Sequence, residues 1–492
     1  MTRTRIVSRL ARPALLASAT ALLAACAAAS PPTETTPPAK PAVATVDPYP
    51  SMYQPAQAAA TLIRGATVLT GIGTRIDNAD VLLVNGRIEA VGQNVSAPAD
   101  ARVIDAQGRW VTPGLIDVHS HLGVYPSPSV NAHNDGNEMV DPVTPNAWAE
   151  HGVWPQDPGL QTALEGGVTT LQVLPGSGNL IGGRGVTLKN VAATTYQAMK
   201  FPGAPQGLKM ACGENPKRVY GSKGSAPMTR MGNVAGYRQA FADAQDYRES
   251  LQKYQRELED FQKKSKDAKE KDEDAQPPTP PKRDIKLETL VAAMAGDIQV
   301  HVHCYRSDEM AIMLDLANEF GFKIAAFHHA VEFYKLADRL AAAGVCGAEW
   351  ADWWGSKMEL FDGIQENLAL TDRPQGGCAI VHSDSEEGIQ RLNQEAAKAM
   401  SRGVRAGLDI PPERAIRWIT ANPAKALGIA HLTGTLEAGK MGDVVIWNGT
   451  PFSVYALAEQ VFIDGTLVYD RAHPAAKPRS DFMLGQPGTE AL

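Results

Sequence analysis

The sequence predicts an α/β chain: a (β/α)8 barrel with a small β-sandwich built from both chain ends. Short apolar runs alternate with helical stretches near 111–121, 168–174, 185–189, 207–213, 298–305, 323–330, 344–350 and 378–384, as a strand–helix repeat requires. Several runs end in His or Asp, and in such barrels the chemistry gathers at the C-terminal ends of the strands. Turn-separated strand patterns occur at both ends of the chain, over 60–110 and again over 442–469.

The 492 residues suffice for one large domain plus a small one. The composition, 44% hydrophobic and 21% charged, is that of a globular protein. A net charge of −7 with no basic face argues against nucleic acid as a partner.

In chain order, Arg3, Arg5, Arg9 and Arg12 precede an apolar stretch from Ala14 to Ala25 that is too short to span a bilayer. It ends in Leu23-Ala24-Ala25-Cys26, which resembles the bacterial lipobox. That resemblance implies cleavage before Cys26 and lipidation of its thiol, and Ala27 in place of Asp favours outer-membrane sorting. The expectation is an exported, periplasmic protein that meets the membrane only through a lipid at Cys26. Residues 27–55, rich in Pro, Ala and Thr, read as an extended tether. Residues 56–110 supply the N-terminal part of the β-sandwich, with Asn85-Gly86 as a hairpin turn. Residues 111–430 form the barrel, and 431–492 the rest of the sandwich and a tail.

Residues 242–284 interrupt the repeat with a charged insertion: a solvated helix, then a Pro-rich link over 277–281. Besides Cys26, four cysteines (Cys212, Cys304, Cys346 and Cys378) lie far apart in apolar runs. They read as buried thiols, although an oxidising compartment would permit a bridge.

His119 and His121 end the first barrel strand. Residues i and i+2 of a strand share a face, so the two imidazoles form half of a metal site. His301 and His303 share a face on the fifth strand, and His303 is the one nearer the mouth. On the sixth, His328 and His329 are adjacent and should point to opposite faces, which favours His329. On the eighth, His382 and Asp384 share a face, with Asp384 nearer the mouth.

Taken with Thr112-Pro113-Gly114-Leu115-Ile116-Asp117-Val118-His119-Ser120-His121, Gly166-Gly167-Val168-Thr169-Thr170, Thr420-Ala421-Asn422-Pro423-Ala424-Lys425 and Gly439-Lys440-Met441-Gly442-Asp443-Val444-Val445, the chain resembles the metal-dependent amidohydrolase superfamily. Within it, the resemblance is to the imidazolonepropionase-like and Xaa-Pro dipeptidase-like branch. The resemblance covers roughly residues 60–470. It implies His119, His121, His303, His329 and Asp384 as ligands of one or two divalent cations, zinc foremost. It also places Lys209, in Gly207-Leu208-Lys209, where a two-metal branch has a carbamylated bridging lysine. Glu214 could bridge instead or face the substrate. Asp384 is the candidate proton shuttle.

Arg184, in the loop-like Gly176–Gly185 stretch, is a candidate substrate contact, with Glu214, Tyr220, His301 and His382. Lys217, Arg218 and Arg230 are further anion candidates, and Trp350, Trp353 and Trp354 candidate pocket walls. The resemblance implies a hydrolase that opens a C–N bond of a small molecule with metal-activated water. Lactone, ester or phosphotriester hydrolysis is the enzymatic alternative, and a ligand-binding surface lipoprotein the non-catalytic one. Homo-oligomerisation is left open.

Overall fold

The computed structural model describes residues 47–127, 129–267, 276–353 and 355–474. The expected signal segment, Cys26, most of the tether, Trp354, the stretch 268–275 of the insertion and the end of the tail lie outside the described residues. Five strands open the chain: β1 (Thr61–Leu69), β2 (Arg75–Val84), β3 (Arg87–Gly92), β4 (Arg102–Asp105) and β5 (Trp110–Pro113). Eight follow: β6 (Leu115–Ser120), β7 (Val168–Val173), β8 (Ile181–Lys189), β9 (Gly207–Ala211), β10 (Gln299–His303), β11 (Ile324–His328), β12 (Cys346–Glu349) and β13 (Ala379–Val381). Three close it: β14 (Val444–Trp447), β15 (Ala458–Ile463) and β16 (Thr466–Asp470).

The first and last groups share one sheet, in the order β16-β15-β14-β5-β1-β2-β3, with β4 paired to β1. The expected hairpin turn is present, with Asn85 and Gly86 both left-handed (φ 50° and 78°), as this turn requires. β14 pairs antiparallel with β5, Val445 opposite Thr112, so the C-terminal hairpin is stitched onto the N-terminal strands. Val445, Trp447, Val461 and Ile463 are buried in one core with Leu164, Val168 and Leu171, which seats this sheet against the barrel.

The middle eight strands form the second sheet in sequence order, β6 to β13. Hydrogen bonding draws its two ends together: Asp384 N–H donates to the His119 carbonyl (3.0 Å). Helices cover the outside: α1 (Pro158–Glu165) precedes β7, and α2 (Glu214–Gly221), α3 (Arg230–Asp267) and α4 (Ile285–Ala295) lie between β9 and β10. Then α5 (Ser307–Phe320), α6 (Ala337–Ala342), α7 (Asn367–Thr371) and α8 (Leu392–Arg405) follow β10, β11, β12 and β13.

Two details depart from the sequence reading. β8 runs antiparallel to both neighbours. Residues 174–180 connect it to β7, a link too short for a parallel crossover. The second half of the Gly-rich stretch is therefore strand, and there glycine serves packing: a Cβ on Gly183 (φ 123°) would fall 1.9 Å from the Ala147 carbonyl oxygen. Second, the four cysteines are not free thiols. Cys212 is bonded to Cys304 and Cys346 to Cys378, with Cα separations of 5.2 and 4.6 Å. Each pair joins neighbouring strands, β9 to β10 and β12 to β13, which lie far apart in sequence and side by side in the barrel.

The insertion begins as the tail of α3, whose 38 residues span about 57 Å at the helical rise. Its first turns are anchored by buried Tyr237, Ala240, Phe241 and Ala244, and Phe241 stacks on Phe322 at 4.5 Å.

Candidate metal centre

β6 delivers His119 and the residue after its end, His121. Their Nε2 atoms lie 3.3 Å apart, and Asp384 Oδ1 is 3.3 Å from the first and 3.1 Å from the second. Lys209 Nζ, on β9, approaches His119 Nε2 to 3.1 Å. His121 Nδ1 lies 2.8 Å from the Leu174 carbonyl oxygen, to which it can only donate. In the neutral ring that leaves the Nε2 lone pair for a cation, whereas the protonated ring donates from Nε2 to Asp384.

Asp384 is placed by its neighbour. Ser383 donates through its N–H (3.2 Å) and its hydroxyl to the buried carboxylate of Asp117. Asp117 also accepts from His119 N–H (3.1 Å). Burial pushes Asp117 up to about 7, against the pull of those hydrogen bonds. One carboxylate thus holds the first strand and the eighth together beneath the ligand cluster.

A second cluster adjoins the first. Nitrogens of His119, His329 and His382 lie within 4.8 Å of one another. His329 is left-handed (φ 57°), and so is Asp384 (φ 54°), a conformation that non-glycine residues adopt uncommonly and that recurs at functional sites. The turn at His329 breaks strand alternation. Adjacent imidazoles therefore both reach the interior: His329 beside His119 and Trp350 (ring centroids 4.6 and 4.4 Å), and His328 one layer deeper. The ring of His303 lies 4.7 Å from that of His329.

Neutral imidazole and ionised carboxylate are the ligand forms a divalent cation needs. Burial lowers His119, His303 and His329 well below the ordinary histidine range, with the Lys209 charge adding to it. Burial likewise brings His382 down to about 4 and Lys209 to about 8. Burial pushes Asp384 up, but the His121 hydrogen bond and the charges of His121, His382 and Lys209 outweigh it and hold the carboxyl below its usual range. The buried Nδ1 atoms of His303, His329 and His382 have no hydrogen-bond partner among the described residues. Such orphaned donor atoms around a nitrogen and carboxylate set fit a cation.

Not every candidate reaches this centre. Arg184 points away from it: the side chain binds Thr289 Oγ1 (2.9 Å) and Gln206 Oε1 (2.7 Å) and lies 4.1 Å over the ring of Trp148. It joins β8 to α4 and does not line the mouth, because it is a strand residue and not a loop residue. Tyr220 is buried, and its hydroxyl donates to the Asp141 carbonyl (2.8 Å), a packing role. His301 is fully buried, its Nδ1 2.9 Å from His328 Nε2, so it supports the centre from below and does not touch substrate. Glu214 stands at the start of α2, 3.8 Å from Lys357, and Lys209 is the nearer of the two bridging candidates to His119.

The sequence reading missed Asp117, Asn215, Tyr305 and Lys357 at this site. Tyr305 had a signal: it lies two residues beyond His303, on the same strand parity. Asn215 and Lys357 lie outside the strands, where periodicity carries no information.

Residues 375–471 match the model of the Amidohydrolase family. The crystal structure of an amidohydrolase from Thermotoga maritima MSB8 is 32% identical, with a TM-score of 0.70, covering 84% of this chain and 100% of that one. Amidohydrolase tasK of Hapsidospora irregularis is 34% identical over 452 residues, which are 85% of this chain and 44% of the relative. This chain thus spans less than half of that protein. The imidazolonepropionase of Mesorhizobium japonicum is 24% identical over 420 residues, 79% of this chain and 90% of the relative.

Proposed function

The chain belongs to the amidohydrolase family, and we propose that it is a metal-dependent hydrolase that opens an amide or peptide-like C–N bond, in an open chain or a ring, of a small molecule. The observation that carries this reading is the convergence of His119, His121 and Asp384 beside orphaned imidazole nitrogens of His303, His329 and His382. The amidohydrolase and imidazolonepropionase relatives support the choice of bond.

His119, His121 and Asp384 would hold one cation; its nitrogen and carboxylate donors suit zinc. Lys209 stands beside them. Its neutral amine, made accessible by a pKa near 8, is the form that takes up carbon dioxide. A carbamate there would join His303 and His329 in holding a second cation. When bound, such an ion supplies an acidified water and an electrophile for the scissile carbonyl. The ionised Asp384 carboxylate takes the proton of the attacking water and passes it to the leaving nitrogen. Ser383 and Asp117 keep that carboxylate in place, and Trp350 walls the side next to His329 and His382.

Export, with a lipid at Cys26 and residence at the outer membrane, belongs to the same proposal. The two disulfides support it, since such bonds persist in oxidising compartments.

The test is elemental analysis followed by chelation, reloading with Zn²⁺, Mn²⁺ or Co²⁺, and a panel of dipeptides, N-acyl amino acids, cyclic amides and lactones. Bound metal is expected, with activity towards an amide that is lost on chelation and restored on reloading. Asp384→Asn should lower kcat by about 100-fold or more. Metal-loaded protein inert towards the whole panel would overturn the hydrolase reading, and turnover of lactones alone would overturn the C–N assignment.

A further inference from the structure

We propose that Lys357 and Arg218 form an anion subsite at the barrel mouth that takes the free carboxylate of a dipeptide or N-acyl amino acid. The proposal rests on the hydrolase reading and narrows it to open-chain, anionic amides.

Lys357 lies in the loop between β12 and α7. Its Nζ donates to Asn215 Oδ1 (2.8 Å), lies 3.3 Å from the Tyr305 hydroxyl and sits 5.1 Å from the centre of the Tyr305 ring. Asn215 Nδ2 in turn reaches His303 Nε2 (3.4 Å) and Ser177 Oγ (2.8 Å). The Tyr305 ring is 4.6 Å from that of His303 and 5.8 Å from that of His329. One ammonium group is therefore held two hydrogen bonds from a candidate metal ligand, by neutral partners.

Its charge is poorly compensated. The nearest carboxylate, Glu214, is 3.8 Å away. Glu359, the other acid close by, is taken by Arg230 and by the Glu214 N–H. Of the three donors of an ammonium, at least one remains for a ligand. Arg218, one turn beyond Glu214 on α2, is exposed, and its guanidinium makes no ion pair or hydrogen bond among the described residues. Its charge acts on both Lys357 and Tyr305. Arg218 thus adds a like charge near Lys357, and an anion would stabilise the pair.

The placement matches one substrate chemistry. In a dipeptide or N-acyl amino acid the carboxylate is carried by the carbon next to the leaving nitrogen. With the scissile carbonyl at the His119–Asp384 cluster, the proposal sets that carboxylate on the His303 side, where Asn215 links His303 to Lys357. Lactones and neutral cyclic amides bring no such group.

The experiment uses the metal-loaded protein and matched pairs: an N-acyl amino acid, or a dipeptide, and its C-terminal carboxamide. The free acid should be favoured by about tenfold or more in kcat/KM. Lys357→Met and Arg218→Met should raise KM for the acid and leave the carboxamide nearly unchanged. Glu214→Gln, which removes a competing negative charge, should lower KM for the acid. Equal use of acid and carboxamide, or variants that impair both alike, would overturn the subsite.

Calorimetric binding of the same pair to Asp384→Asn protein separates this proposal from the hydrolase reading. Asparagine tolerates the left-handed conformation at that position, so the fold should persist. Preferential binding of the acid, lost with Lys357→Met, supports the subsite even if no substrate is cleaved. Equal binding of acid and carboxamide overturns it even if both are cleaved.

Discussion

Because Nδ1 of His119 lies 2.9 Å from Nδ1 of His328, only one of those nitrogens can carry the proton. If His119 offers its Nε2 lone pair to a cation, its Nδ1 is protonated and donates to His328. His328 Nε2–H then donates to His301 Nδ1, also at 2.9 Å. The three rings form a chain of neutral tautomers running down the barrel axis. Burial keeps it neutral: it lowers His328 well below the ordinary range and His301 to about 3. Replacing His328 by Phe should therefore free the His119 ring and weaken metal retention by about 10–100-fold. Competition with a chelator, followed by elemental analysis, measures this; retention equal to that of the unmodified protein would remove His328 from the support of the site. This chain shows the reach of sequence reasoning at single residues. Period-two spacing placed His119, His121, His382 and Asp384 on common faces, but alternation assigned His328 and His329 to opposite sides. The positive φ at His329 cancels that rule, and nothing in an apolar run ending in two histidines announces it.

At the scale of elements, strand positions were legible and strand direction was not. An apolar run reads the same in either direction, so β8 was expected to continue the parallel repeat. The shortness of the 174–180 link was the available signal, and the glycines near it drew attention to a loop. Cysteine pairing was hidden for a related reason: partners are chosen by strand adjacency, which spacing along the chain does not encode. The two disulfides make a ranking possible. They close sequence separations of 92 and 32 residues. In the chain-entropy account, such loops correspond to at most about 4–5 and about 3–4 kcal/mol. Replacing both Cys212 and Cys304 by Ala should thus lower the denaturant midpoint more than replacing Cys346 and Cys378. Thiol titration of unfolded, unreduced protein should find none of these four sulfurs free; four reactive thiols would return them to the buried-thiol reading.

The whole molecule depends on how the barrel and the sheet of the chain ends are joined, and part of that joint is ionic. Lys189, at the end of β8, is fully buried. Its Nζ lies 3.1 Å from Asp443 Oδ1 and 3.0 Å from an oxygen of Asp464. Asp443 precedes β14 and also accepts from the Thr433 hydroxyl (2.8 Å). Asp464 sits in the turn between β15 and β16 and accepts from the Tyr53 hydroxyl (2.6 Å). A barrel strand, the C-terminal hairpin and the segment ahead of β1 therefore meet at one ammonium group. Lys189→Met keeps much of the volume but leaves two neighbouring buried carboxylates without their cation, a loss of about 3–5 kcal/mol. The pH dependence follows from Asp464. Burial, then the charge of Asp443, pushes its carboxyl above the ordinary range, and Lys189 with the Tyr53 hydrogen bond restrains that rise. Without Lys189 the folded state holds a proton that the unfolded chain releases near pH 4. Folding then takes up protons, so stability of the variant should fall as pH rises from about 4 through the raised folded pKa, more steeply than that of the unmodified protein. Melting temperatures of both proteins between pH 5 and 8 measure the two slopes, and equal slopes would mean that Lys189 does not compensate these carboxylates. β8 is antiparallel, so its end at Lys189 lies at the barrel face opposite the histidine cluster. Folded variant should accordingly retain its metal and kcat, and a loss of either at full folding would mean that the joint and the centre are coupled.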